Sequence, residues 1–131
     1  MLERIERNTL EDRIFHLPEM RKFGDDAAVK QIFFDTPNTV GAITCAKPGQ
    51  YLELHSHESA DDIWFVLEGT ADFYPNLTDY VEIKQGDVIF SKPGELHGMK
   101  NNSDENFVML GIAGPTPIGF TTYKDKHNNI Y

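Results

Sequence analysis

From Val29 onward the chain alternates short apolar-rich runs with clusters of turn-forming residues. The runs fall at 29–34, 40–45, 51–57, 63–68, 70–74, 80–83, 88–91, 96–100, 107–112 and 119–123. Between them stand Asp35-Thr-Pro-Asn38, Lys47-Pro-Gly49, Glu68-Gly69, Pro75-Asn76, Lys84-Gln-Gly-Asp87, Lys92-Pro-Gly94, Asn101-Asn-Ser-Asp104 and Gly114-Pro115. Many short strands at regular spacing, punctuated by Gly, Pro, Asn and Asp, predict an all-β barrel or sandwich. No long amphipathic helical window occurs after the leader. Residues 1–28 lack the strand pattern and read as a mixed leader with short helical turns around residues 10–15, which Pro18 ends. The division predicted is therefore a leader at 1–28, packed on the barrel or on a partner, and a β-barrel domain at 29–131.

The run that begins at Asp62 carries more than a fold signal. If Asp62 faces inward then Trp64 and Val66 do so too, because strand side chains alternate between faces. Ile63, Phe65 and Leu67 then point outward and are all apolar, so both faces need cover. The leader or a second subunit can supply it, and a homodimer is the expectation. On the following hairpin either Phe73 or Tyr74 must point inward, and the pattern does not decide which.

Composition narrows the functions available. At 131 residues the chain has the size of one domain with a single core. A net charge of −9 without clustered Lys and Arg argues against nucleic acid and against anionic membrane surfaces. No stretch approaches the ~20 apolar residues of a membrane span. The charged N-terminus does not resemble a signal peptide, and the single cysteine, Cys45, forms no internal disulfide, so a cytoplasmic setting is expected. Cys45 itself reads as a small packed strand residue.

His55 and His57 are the most informative pair in the chain. One residue apart on an extended segment, they point to the same side, and carboxylates follow at Asp61 and Asp62. A further histidine, His97, lies in Lys92-Pro-Gly-Glu-Leu-His97-Gly-Met. Imidazole with carboxylate suits Zn, Fe, Ni, Mn or Cu rather than calcium or magnesium. By the same alternation Tyr51 and Glu53 share the face of His55 and His57, and Met99 shares that of His97. Glu53 is the candidate catalytic group, since a carboxylate on a barrel interior must bond a ligand, a base or a metal. Its alternative is a solvated residue at the barrel mouth. Asn101 reads as a turn residue, and His16 and His127 as ordinary surface residues.

Gly49-x5-His55-x-His57-x4-Asp62-x6-Gly69 and Gly86-x7-Gly94-x2-His97-x3-Asn101 together resemble the two motifs of the cupins. The resemblance covers residues 49–101 and departs from the usual pattern twice. Asp62 stands where Glu is usual, and the proline of the second motif is displaced by one residue, giving Lys92-Pro93-Gly94. What it implies is a double-stranded β-helix, or jelly-roll, barrel, usually dimeric, with a metal at its centre. It selects Asp62 over Asp61 and implies a ligand set of His55, His57, Asp62 and His97 around one divalent Fe, Mn, Ni or Zn ion. The function expected is that of a small-molecule metalloenzyme of isomerase, lyase, decarboxylase or dioxygenase type. The alternative is a module that binds or senses a small ligand without turnover.

Overall fold

A computed structural model describes residues 13–123. Its strands are β1 (Val29–Asp35), β2 (Val40–Ala46), β3 (Tyr51–Ser56), β4 (Asp61–Glu68), β5 (Thr70–Tyr74), β6 (Val81–Lys84), β7 (Val88–Ser91), β8 (His97–Lys100), β9 (Phe107–Gly114) and β10 (Thr121–Thr122). They form two five-stranded sheets, ordered β1-β2-β9-β4-β7 and β10-β3-β8-β5-β6. Every pairing among the described residues is antiparallel. This is the all-β architecture that the spacing of short runs predicts, in the two-sheet jelly-roll form that the cupin resemblance implies.

The period-two pattern is visible in β4, where Asp62, Trp64 and Val66 are buried and Ile63, Phe65 and Leu67 are half-buried. Inside the barrel, Trp64 and Val66 pack with Ala71, Ile83, Met99, Phe107 and Met109. Phe73 joins this cluster, its ring edge-on to Trp64 at 5.9 Å, so Phe73 is the inward residue of β5. Tyr74 instead lies against Tyr80 at 5.6 Å. Burying each large apolar side chain here contributes roughly 1.5–3 kcal/mol of transfer free energy. β2 is buried on both faces, which its central place between β1 and β9 requires.

The outer face of that sheet is covered from within the chain. Leu17, Met20 and Phe23 pack on Ile43, Cys45, Val108 and Leu67. Leu17–Met20 forms a single 3-10 turn with Pro18 at its start. Pro18 therefore opens a turn rather than ending a longer helix, because its fixed φ and missing N–H are harmless in a first turn. No helix occurs at residues 13–15, and residues 10–12 and His127 lie outside the described residues. Arg21 bonds Glu68 at 3.1 Å and Gln50 donates to the Gly24 carbonyl at 2.8 Å, fastening this segment to the barrel.

Two glycines shape the turns beside the future site. Gly69, with φ +82°, reverses the chain between β4 and β5 where a Cβ would strike the Asn106 carbonyl. Gly94, with φ +83°, donates its N–H to the His57 carbonyl at 2.9 Å and so ties the approach to β8 against the end of β3.

Candidate metal centre

Three strands from both sheets bring the four side chains together. His55 of β3 stands opposite His97 of β8, and His57 follows just beyond the end of β3. Asp62 comes from β4, in the other sheet. Their ligand atoms all lie within 4.8 Å of one another, and the residues are 3%, 2%, 6% and 1% exposed for His55, His57, Asp62 and His97 respectively. Asp61 is exposed on the opposite face of β4, so the carboxylate in the cluster is that of Asp62.

Simple alternation fails at one point in β3. Leu52 pairs with Met99, yet the next paired residue, His55, faces His97, so three steps on β3 match two on β8. The extra residue is a bulge, and it inverts the phase of the strand. Leu52, not Tyr51 or Glu53, therefore shares the inner face with His55 and packs on the core. Tyr51 is exposed. Glu53 is half-buried in an adjoining cavity that His55 and Phe120 also line. Its main-chain carbonyl accepts the His55 Nδ1 hydrogen at 2.6 Å.

The hydrogen bonds around the rings fix what their inner nitrogens are. His55 Nδ1 lies 2.6 Å from the Glu53 carbonyl, His57 Nδ1 2.7 Å from that of Gly119, and His97 Nδ1 3.1 Å from that of Glu95. A carbonyl oxygen only accepts, so each Nδ1 carries hydrogen and each ring turns its Nε2 inward, where in the neutral form it offers a lone pair. Two of these, on His57 and His97, sit 3.1 and 3.0 Å from the same Asp62 oxygen. Lone pairs facing a carboxylate at that distance repel unless protons or a cation lie among them. The donor set, three imidazole nitrogens and one carboxylate, fits a divalent transition metal.

Burial and mutual contact perturb two groups of the cluster. Burial, reinforced by the neighbouring His97, lowers the His55 pKa to about 3, so that ring is neutral. Burial pushes the Asp62 carboxyl up, but the ring nitrogens of His57 and His97 pull it down further, and the net direction is strongly down. Asp62 is thus held as an anion.

A cavity of about 70 Å³ opens from the cluster, lined by His55, His57, Asp62 and Trp64 among others. It adjoins a wider cavity of about 360 Å³ that contains Glu53. Trp64 lies 5.3 Å from His97 and separates the site from the apolar core. Phe120 stacks on His55 at 4.9 Å from the outer side.

Several contributors escape a reading of the sequence. The Gly119 carbonyl, 62 residues from His57 in the chain, is a main-chain group with no side-chain signature. Phe120 falls in the last predicted run, with nothing to mark it. Lys30, exposed on β1, lines both cavities. Asn101 touches no ligand. It is wholly buried and binds Ala46, Ser103 and Glu105, which makes it a loop fastener. Cys45 packs with Ile43 and Val108 at the outer face, where burial raises its thiol pKa.

Residues 42–113 match the family model described as Cupin domain. An oxalate-binding protein of Thermotoga maritima is 37% identical over 65 residues, which are 50% of this chain and 53% of that protein. The chain thus spans about half the length of the curated relative it matches. An uncharacterized conserved protein with a double-stranded β-helix domain from Klebsiella pneumoniae superposes with a TM-score of 0.82 at 27% identity, over 86% of this chain and 98% of that one. A predicted oxalate decarboxylase from Thermotoga maritima superposes with a TM-score of 0.61 at 26% identity, over 66% of this chain and 78% of that one.

Proposed function

The chain belongs to the cupin family, and on that premise we propose that it is a metal-dependent enzyme acting on a small organic molecule. The observation that carries the reading is the convergence of three inward Nε2 atoms and one carboxylate in a buried cluster beside a small cavity. His55, His57, Asp62 and His97 would hold one Fe, Mn, Ni or Zn ion per chain. Such an ion, when bound, supplies Lewis acidity toward a carbonyl or enolate, or dioxygen chemistry if it is iron. The reaction classes are accordingly isomerase, lyase, decarboxylase or dioxygenase.

The protein's own groups supply orientation and proton handling. Trp64 and Phe120 flank the histidines on two sides. Glu53, beside His55 in the adjoining cavity, is the ionisable group placed to hold or accept a proton at its carboxylate. A second reading, a binding module without turnover, is favoured by the name of the Thermotoga maritima relative, which describes binding. The same reading includes a homodimer, supported by the exposed Val88 and Phe90 on edge strand β7. It also includes a reducing, cytoplasmic setting, supported by the single buried Cys45. No helix among the described residues is long and apolar enough to cross a membrane.

The test is metal analysis of purified protein, then turnover and oxygen uptake on small acids, including oxalate, and sugars. A stoichiometric transition metal with turnover of one substrate supports the enzyme. Metal with tight binding and no turnover on any of them moves the protein to the binding-module reading. Absence of transition-metal uptake under any loading condition overturns both.

A further inference from the structure

Residues 118–122 run past the metal centre as a short strap that meets it at three points. Ile118 lines the small cavity, the Gly119 carbonyl accepts the His57 Nδ1 hydrogen at 2.7 Å, and the Phe120 ring lies 4.9 Å from His55. Little of the strap's own pairing holds it there. Strand β10 is two residues long at the edge of its sheet, with Thr121 opposite Ser56 and Thr122 opposite His55. One main-chain bond flanks it on each side, from the Ser59 N–H to the Ile118 carbonyl at 3.3 Å and from the Tyr123 N–H to the Leu54 carbonyl at 2.9 Å. An edge element with so few bonds opens at small free-energy cost.

Glu58 supplies what the strand lacks. It follows His57 directly in the chain, and its side chain reaches the strap. One carboxylate oxygen accepts the hydroxyl of Thr121 and, at 3.4 Å, that of Ser56. The other lies against Gly119, where a Cβ would strike it. The carboxylate therefore grips the strap at 119 and 121, on either side of Phe120, and ties it to β3. We propose that Glu58 is a positioning residue for the metal centre, a latch that keeps the Gly119 carbonyl on His57 Nδ1. This inference rests on the metal reading above and adds to it a residue that touches neither the ion nor the ligand. It acts in two steps, through the strap to the carbonyl and through the carbonyl to the ring that offers Nε2.

The experiment uses the whole chain, both metal-free and titrated with cobalt(II). Glu58→Ala and Thr121→Val should each weaken cobalt about tenfold, the lower end of what losing an outer partner of a metal ligand costs. The double variant should match Glu58→Ala, because both substitutions break the same bond. Glu58→Gln loses the charge but keeps an oxygen acceptor, and Thr121→Ser keeps the hydroxyl, so both should stay within about twofold of the wild type. In metal-free protein, NMR should show the His57 Nδ1 proton exchanging with water about tenfold faster in Glu58→Ala and Thr121→Val than in the wild type. Wild-type cobalt affinity and wild-type exchange in these two variants overturn the latch. Weaker cobalt with unchanged exchange also overturns it, since the effect would then not run through His57. Equal weakening in Glu58→Gln and Glu58→Ala makes charge near the ion the cause, and additive losses in the double variant make the two residues independent; either result overturns the latch. If the wild type takes up no cobalt, the metal reading falls and the proton exchange decides the latch by itself: faster exchange in the variants upholds the hold on His57, and unchanged exchange overturns it.

Discussion

Removing metal should destabilise the whole fold rather than loosen one loop. His55 and His97 belong to one sheet and Asp62 to the other, so an ion held by all of them ties the two sheets across the barrel. The unfolded chain has no such site, and binding free energy therefore adds to folding free energy. At free metal about 1,000 times Kd the gain is about 4.1 kcal/mol. A chain of 131 residues unfolds with an entropy of about 0.28 kcal/mol/K, so the shift in Tm is about 15 °C. The single tryptophan, Trp64, lies 5.3 Å from His97, so intrinsic fluorescence follows both the melt and the site. His57→Ala removes one ligand and also the bond to the Gly119 carbonyl. If affinity falls about 100-fold, the gain at the same metal concentration drops to about 1.4 kcal/mol and the shift to about 5 °C. Chelator-treated wild type whose melting point moves by less than about 3 °C in saturating Zn, Mn, Ni and Fe(II) would refute the reasoning.

Asn101→Ala should cost about 3 kcal/mol, from four side-chain hydrogen bonds at 0 % exposure and a buried Ala46 carbonyl left unpaired, while metal stoichiometry is retained. Urea denaturation reads it, and a loss under about 1 kcal/mol would contradict the fastening role. Glu53→Gln keeps size and hydrogen bonding but removes the base, so turnover should fall by two orders of magnitude or more with metal content unchanged; full activity would make Glu53 a solvated residue at the cavity mouth. In metal-free protein, burial and then His97 hold the His55 pKa at about 3, against an ordinary 6.5. The folded state therefore binds fewer protons, and stability present above about pH 6.5 is lost as pH falls toward 3. Urea midpoints between pH 7.5 and 4 should decline, and a midpoint that rises on acidification would exclude this contribution.

Most of the fold was legible because its strands differ from its turns in composition. Runs rich in Val, Ile, Phe and Tyr alternate with Gly, Pro, Asn and Asp, and strand bounds shift only at the ends: 63–68 becomes Asp61–Glu68, and 119–123 shrinks to Thr121–Thr122. The choice between Phe73 and Tyr74 was not legible. Both are large aromatics on adjacent positions, and only the register of β5 against β8 turns Phe73 toward Met99 and the core. The use of Pro18 was also ambiguous, since proline tolerates a first turn as readily as it breaks a later one.

The site divides along a physical line between side chains set by local geometry and groups brought in by the path of the chain. His55 and His57 follow from a period of two, and that period survives because the bulge lies before them, between Leu52 and His55. Glu53 lies within the bulge, where the same rule gives the wrong parity. A one-residue insertion opposite β8 has no residue-type marker here, so no counting from His55 recovers it. The Gly119 carbonyl is harder still: it locks the His57 tautomer from a segment 62 residues away, and any residue offers a carbonyl. The residues that hold a metal are therefore readable from spacing, while the groups that orient them depend on the path of the chain.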